Sequence, residues 1–335
     1  MLQVHRVSPP LESGSVLVGG EAGRSKLIHR TSARHAVVGS SRAADASPFR
    51  GCARMSRRSP KVGHNGPECT GEIREETTVT YRHIRVERAG AHALLTMDRA
   101  DRRNTLSREA MEEMIDAFRE IGRSDARGVI LAGAGPVFSA GHDFGDMTDA
   151  GLAEMRTLLR TCTTLMETIL SVPQVVIARV HGLAVAAGCQ LVATCDLAVA
   201  ADTASFALPG GKAGWFCHTP TVAVTRAVGR KRALEMSFTG DPIDAATAAD
   251  WGLVNRVVPA ADLERETLAL LDRATRGTRE SKGMAKQGFY AQVDLPLPQA
   301  YAYASELMAS SSQVPDAREG VTAFFEKRRP DYGDR

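Results

Sequence analysis

Two stretches of small residues invite a chemical reading: residues 138–143 (FSAGHD) and residues 175–201 (VVIARVHGLAVAAGCQLVATCDLAVAA). In the second, His181 and Gly182 stop an apolar run, and Ala184, Ala186, Ala187 and Gly188 follow. A turn of small residues that opens a helix leaves backbone N–H groups free at its N-terminus, where partial positive charge favours an anion. The same residues equally suit close packing of a helix. The first stretch ends a glycine-punctuated turn, residues 132–143 (AGAGPVFSAGHD). Each stretch therefore offers a backbone donor. Two donors aimed at one point form an oxyanion hole, which stabilises a carbonyl oxygen as it gains negative charge.

Both donors need rigid supports. Val175–Val180 is a β-branched run of buried-strand length, and the apolar spacing then lengthens through Leu191, Val192 and Cys195, giving strand, tight turn, helix. Residues 128–131 (GVIL) form a buried strand ahead of the first turn. Upstream, Val79, Tyr81, Ile84 and Val86 mark a strand from about Thr78, and His92–Met97 is its return. A polar loop, residues 98–107, ends at Ser107, a candidate cap for a helix that carries Met111, Met114, Phe118 and Ile121 on one face. Helices are expected over 150–170, 219–228, 230–239 and 244–251, with breaks at Pro173, Gly229 and Gly252. Short strands are expected over 197–200 and 253–258, and a Gly-rich loop over 205–214. The alternation indicates an α/β fold. From Ala260 onward only helical patterns remain, which predicts a separate helical layer.

The order FSAGHD, HGLAVAAGCQL, CDLAVA, SFALPG and FFEKRRP resembles the enoyl-CoA hydratase/isomerase (crotonase) family over about residues 78 to 330. The resemblance implies an α/β crotonase-type spiral of ββα units over 76–258. It also implies a C-terminal α-helical oligomerisation region over 259–335, and a homotrimer or dimer of trimers. It implies an acyl-CoA thioester substrate, with coenzyme A part of that substrate and no separate cofactor. Motif by motif, the donor N–H groups fall on His142 and Ala187. The family's two acid–base carboxylates are matched by Gln190 and Gly210. Neither can take up and release a proton, although Gln190 can still hold a water. Eight residues after Gly210 stands His218, an offset that carries a catalytic aspartate in the family's dienoyl-CoA isomerases. An imidazole can give and take a proton, and His218 is the expected base. The implied substrate-binding residues are Arg103, Ala140, Asp143, Cys217 and Lys327, with Arg103 and Lys327 assigned to coenzyme A phosphates. Two functions follow: an acyl-CoA enzyme with a hydratase, isomerase or thioester-cleaving outcome, or a catalytically weakened acyl-CoA binding or regulatory protein in fatty acid metabolism.

Composition limits the remaining classes. The 335 residues are 43% hydrophobic, enough for a sizeable core in one large domain or two small ones. The net charge of +3 is uneven: residues 1–60 hold ten Arg or Lys against three acids, which leaves about −4 for the rest. No basic stripe interleaved with aromatics occurs in the body, so nucleic acid is not an expected partner. Six cysteines with no CxxC pair argue against structural zinc and fit a reducing compartment. Arg179, His181, Gln190 and Asp196 break up the longest apolar run, so no membrane span is expected. Residues 1–75 are Arg- and Ser-rich and acid-poor. They read as a disordered extension, an upstream start ahead of Met55, or a transit peptide. The expected location is cytoplasmic, with the mitochondrial matrix as the alternative.

Overall fold

The structure is a computed structural model that describes residues 80–333. The expectations for residues 1–75 and for Thr78 and Val79 lie outside the described residues. The chain enters through the hairpin β1 (Ile84–Ala89) and β2 (His92–Met97), antiparallel with Ile84 opposite Met97. Helix α1 (Arg108–Arg123) follows, and the Ser107 side chain accepts the Ala110 N–H at 3.2 Å as its cap. Such a cap contributes about 1 kcal/mol. Met111, Met114, Phe118 and Ile121 all face inward, as their spacing requires.

Three units of one plan come next. Each is a strand of five or six residues, a strand of three, then a helix: β3 (Gly128–Gly133), β4 (Val137–Ser139) and α2 (Leu152–Ser171); β5 (Val175–Val180), β6 (Leu183–Val185) and α3 (Ala187–Thr194); β7 (Leu197–Ala201), β8 (Ser205–Ala207) and α4 (His218–Val228). Helix α5 (Arg230–Thr239), β9 (Ile243–Asp244), α6 (Ala245–Trp251) and β10 (Arg256–Val258) complete the mixed part of the chain. The longer strands form a six-stranded sheet, β1-β2-β3-β5-β7-β10, parallel from β2 onward. The short ones form a second sheet, β4-β6-β8-β9. Reading residues 132–143, 183–188 and 205–214 as turns or loops misses β4, β6 and β8. Three residues are too few to show a period, and these strands hydrogen-bond to one another rather than to chain neighbours.

Four helices end the described chain: α7 (Leu263–Ala274), α8 (Arg279–Gln292), α9 (Leu297–Ser311) and α10 (Pro315–Glu326). The first of them is not part of a separate layer. Leu263 and Leu271 of α7 pack on Ile130, Ile177, Val199 and Ala201, so α7 covers the face of the large sheet opposite the main core. Helix α8 is fastened through a buried ion pair between Lys286 Nζ and Asp196 Oδ2 at 2.8 Å. Lys286 also donates to the Ile169 and Gln174 carbonyls, and Tyr290 Oη donates to Asp196 Oδ1 at 2.8 Å. On α9 and α10, by contrast, Tyr301, Met308, Phe324 and Phe325 are exposed.

Candidate active site

Strands β4, β6 and β8 run parallel, with Ser139 beside Ala184 and Val185 beside Ala207. Their C-terminal ends therefore release three turns side by side: residues 140–142, residues 186–187 and residues 208–210. Contact between the first two is backbone on backbone. Gly141 has φ +87°, and a Cβ there would lie 2.9 Å from the Val185 carbonyl oxygen and 3.3 Å from the Ala187 nitrogen. Ala186, with φ 49° and ψ −114°, turns the chain from β6 into α3 within one residue. A non-glycine residue held there costs about 1–3 kcal/mol, strain of a kind that concentrates at functional sites. The Ala186 N–H is used by the Ala207 carbonyl at 2.9 Å. The N–H groups of His142 and Ala187 have no acceptor among the described residues.

The 140–143 turn is clamped by the loop before α1. Ala140 donates to the Arg103 carbonyl at 3.0 Å, Leu106 to the Gly141 carbonyl at 2.8 Å, and Asp143 to the Leu106 carbonyl at 3.2 Å. Ser139 Oγ donates to the Asn104 carbonyl and accepts the Gly141 N–H. The buried Asn104 side chain accepts from the Arg99 N–H and donates to the Ala134 and Val137 carbonyls. Asp143 accepts from Thr105 Oγ1 at 3.0 Å, Arg99 Nη2 at 3.1 Å and the Gly145 N–H at 3.0 Å. Burial acts to raise the Asp143 pKa, but these donors together hold the carboxyl below the usual carboxylate range. Asp143 thus braces the turn. Sequence reasoning gave Arg99, Asn104, Thr105 and Ser139 no bracing role; the first three lie in the polar loop 98–107 and Ser139 in the FSAGHD stretch, and neither segment shows that the two meet. Arg103 has an exposed side chain and supports the turn through its carbonyl.

The side chains around the donors are mostly uncharged. Burial lowers the His142 imidazole to about 4, so it is neutral at ordinary pH, and its Nε2 has no partner among the described residues. Gln190 is 6% exposed; its Oε1 accepts from Cys162 Sγ at 3.9 Å, and its Nε2 has no acceptor among the described residues. Cys189 is fully buried and its thiol is pushed up to about 12. At Gly210 a Cβ would lie 2.3 Å from the Trp215 carbonyl oxygen and 2.7 Å from Cys217 Sγ. His218, the first residue of α4, is exposed and its ring lies 5.1 Å from that of Phe216. The structure thus gathers Ala140, His142, Ala187 and Gly210 at one sheet edge, with Asp143, Gln190 and Cys217 adjoining. Lys327 caps α10 in the left-handed conformation, and no described hydrogen bond or ion pair joins it to these turns. Among the described residues no group of three His, Cys, Asp or Glu is placed to hold a metal, and no helix is long and apolar enough to cross a membrane.

Comparison with known proteins identifies the fold and the family. Mouse enoyl-CoA hydratase domain-containing protein 3, mitochondrial (Mus musculus), is 44% identical over 231 residues, 68% of this chain and 77% of that protein. Its name carries the mitochondrial location; no comparison supports the cytoplasmic one. The crystal structure of human enoyl coenzyme A hydratase domain-containing protein 3 superposes with a TM-score of 0.73 at 40% identity, covering 75% of this chain and 100% of that one. An enoyl-CoA hydratase structure from Mycobacterium smegmatis gives a TM-score of 0.73 at 41% identity, covering 75% and 99%. The sequence profile of the enoyl-CoA hydratase/isomerase family matches residues 87–335, and with these likenesses the chain belongs to that family.

Proposed function

We propose that the protein binds acyl-CoA thioesters and stabilises an enolate on the thioester oxygen through the His142 and Ala187 N–H groups. The observation that carries this reading is the pair of unpaired N–H groups on turns in backbone contact. A thioester suits such a site because its α-carbon anion becomes accessible once charge on the oxygen is held. Each donor contributes about 2.7–4 kcal/mol in the transition state. Coenzyme A enters as part of the substrate, and no separate cofactor is needed.

Hydration by paired carboxylates is not the reaction we assign. Gln190 holds a water but carries no exchangeable acid, and Gly210 has no side chain. The ββα repeat supports the spiral arrangement. The exposed aromatics of α9 and α10 support a trimer or dimer of trimers, in which Lys327 meets coenzyme A phosphates on a neighbouring subunit and Arg103 those on its own. The likeness to mitochondrial relatives supports the mitochondrial matrix. Assaying crotonyl-CoA hydration beside calorimetric binding tests the whole reading. Tight binding with little hydration is expected, and absence of binding overturns it. Binding without any turnover of acyl-CoA favours the regulatory role in fatty acid metabolism.

A further inference from the structure

Gly210 is not an empty place. After β8 the chain makes a 3₁₀ turn (Pro209–Ala213), reverses at Gly214 with φ +79°, and returns so that the Trp215 N–H donates to the Gly210 carbonyl at 3.0 Å. Cys217 then folds onto Gly210, whose N–H donates to Cys217 Sγ at 3.3 Å. A Cβ on Gly210 would lie 2.7 Å from this sulfur, so the thiol sits within the volume that a side chain at 210 would fill. Gly210 itself leaves the sheet beside Ala187, because β8 pairs in parallel with β6. A second observation points to a ligand here. Gln190, in the turn of α3 that follows the Ala187 donor, is 6% exposed, and its amide Nε2 has no acceptor among the described residues. That amide nitrogen is open to solvent rather than sealed in the core, so a bound acyl group or the water it carries can supply its acceptor.

We infer that Cys217 is the group that moves a proton at the substrate α-carbon, in place of a carboxylate at position 210. This rests on the acyl-CoA reading above. In one direction the Cα–H bond breaks, the proton passes to the Cys217 thiolate, and the electron pair enters the enolate held by His142 and Ala187. In the other direction the S–H proton returns to Cα and the thiolate stays hydrogen-bonded to the Gly210 N–H. No oxidant or co-reactant is required. Burial pushes the thiol up, and the Gly210 N–H opposes that rise. The protonated form therefore dominates at neutral pH, which suits a donor to an enolate. The titratable groups nearby are Cys189 on α3, kept protonated by burial, and His218 on α4; Lys212 of the same loop is paired with Asp241.

The test is hydrogen–deuterium exchange at the α-carbon of butyryl-CoA in D2O, beside calorimetric binding of the same compound, for the full chain and for Cys217→Ser and Cys217→Ala. Exchange by the unmodified protein should rise with pH through 9, because the thiolate is the base. An imidazole base would instead level off near its ordinary value of about 6.5. Both variants should bind butyryl-CoA and lose exchange by about 10²-fold or more. Exchange at the unmodified rate in Cys217→Ala overturns the assignment, as does a plateau near neutrality or binding with no exchange in any form. Failure of the unmodified protein to bind butyryl-CoA overturns the acyl-CoA reading and the Cys217 role with it.

Discussion

Gly188 sits against Ser139 so closely that a Cβ on the glycine would lie 2.3 Å from the Ser139 carbonyl oxygen. This contact sets the separation of the two turns that carry the unpaired N–H groups. One small residue of α3 thereby fixes the distance between segments that are far apart in the chain.

Gly188→Ala is accordingly expected to push β4 and α3 apart. Overpacking of this kind costs about 1–3 kcal/mol. Urea unfolding should show that loss, and acyl-CoA affinity should fall in the same variant because the donors no longer converge. Unchanged stability would mean that the turns have slack the structure does not show.

Restoring a glutamate at 210 should not restore hydration. The Trp215 carbonyl and Cys217 Sγ occupy the path of the new side chain. Gly210→Glu is expected to lower the melting temperature and to leave crotonyl-CoA hydration at the unmodified level. Full hydratase turnover in that single variant would refute the steric argument.

Asp143 gives a pH signature. Its carboxyl is held below the usual range, so its stabilisation is fully present above the unfolded value, about 3.9, and is lost as pH falls through the lower folded value. Asp143→Asn should therefore destabilise most at neutral pH. The gap between the two proteins should begin to close in denaturant titrations as pH falls below the unfolded value. A gap independent of pH would assign the loss to packing alone.

Lys286→Met removes one partner of the buried pair and leaves Asp196 with two hydrogen bonds but no counter-charge. Removing one member of such a pair costs about 3–5 kcal/mol. Replacing both, as Lys286→Met with Asp196→Asn, should recover part of the loss. A double-variant loss equal to the sum of the losses in Lys286→Met and Asp196→Asn alone would show that the pair is uncoupled.

The amino-acid sequence by itself determined the elements whose signals are local. The α1 stripe of Met111, Met114, Phe118 and Ile121, its Ser107 cap, the return strand His92–Met97 and the α4–α5 break at Gly229 all follow from spacing and from one or two special residues. Of the two readings of the small-residue turns, close packing is seen at Gly188 against Ser139, and the donor reading at Ala187 is the one proposed above. Tertiary structure alone decided the rest. Strands β4, β6 and β8 exist because β6 pairs with β4 on one side and with β8 on the other, so no segment carries their signal alone. Leu263 and Leu271 look like any amphipathic helix until the large sheet is there to be covered. Arg99 and Asp143 lie 44 positions apart, and Gly210 and Cys217 only seven, yet neither contact shows in the sequence. Whether two side chains meet depends on the path of the chain between them, and that path is set by the sheet from which both ends emerge.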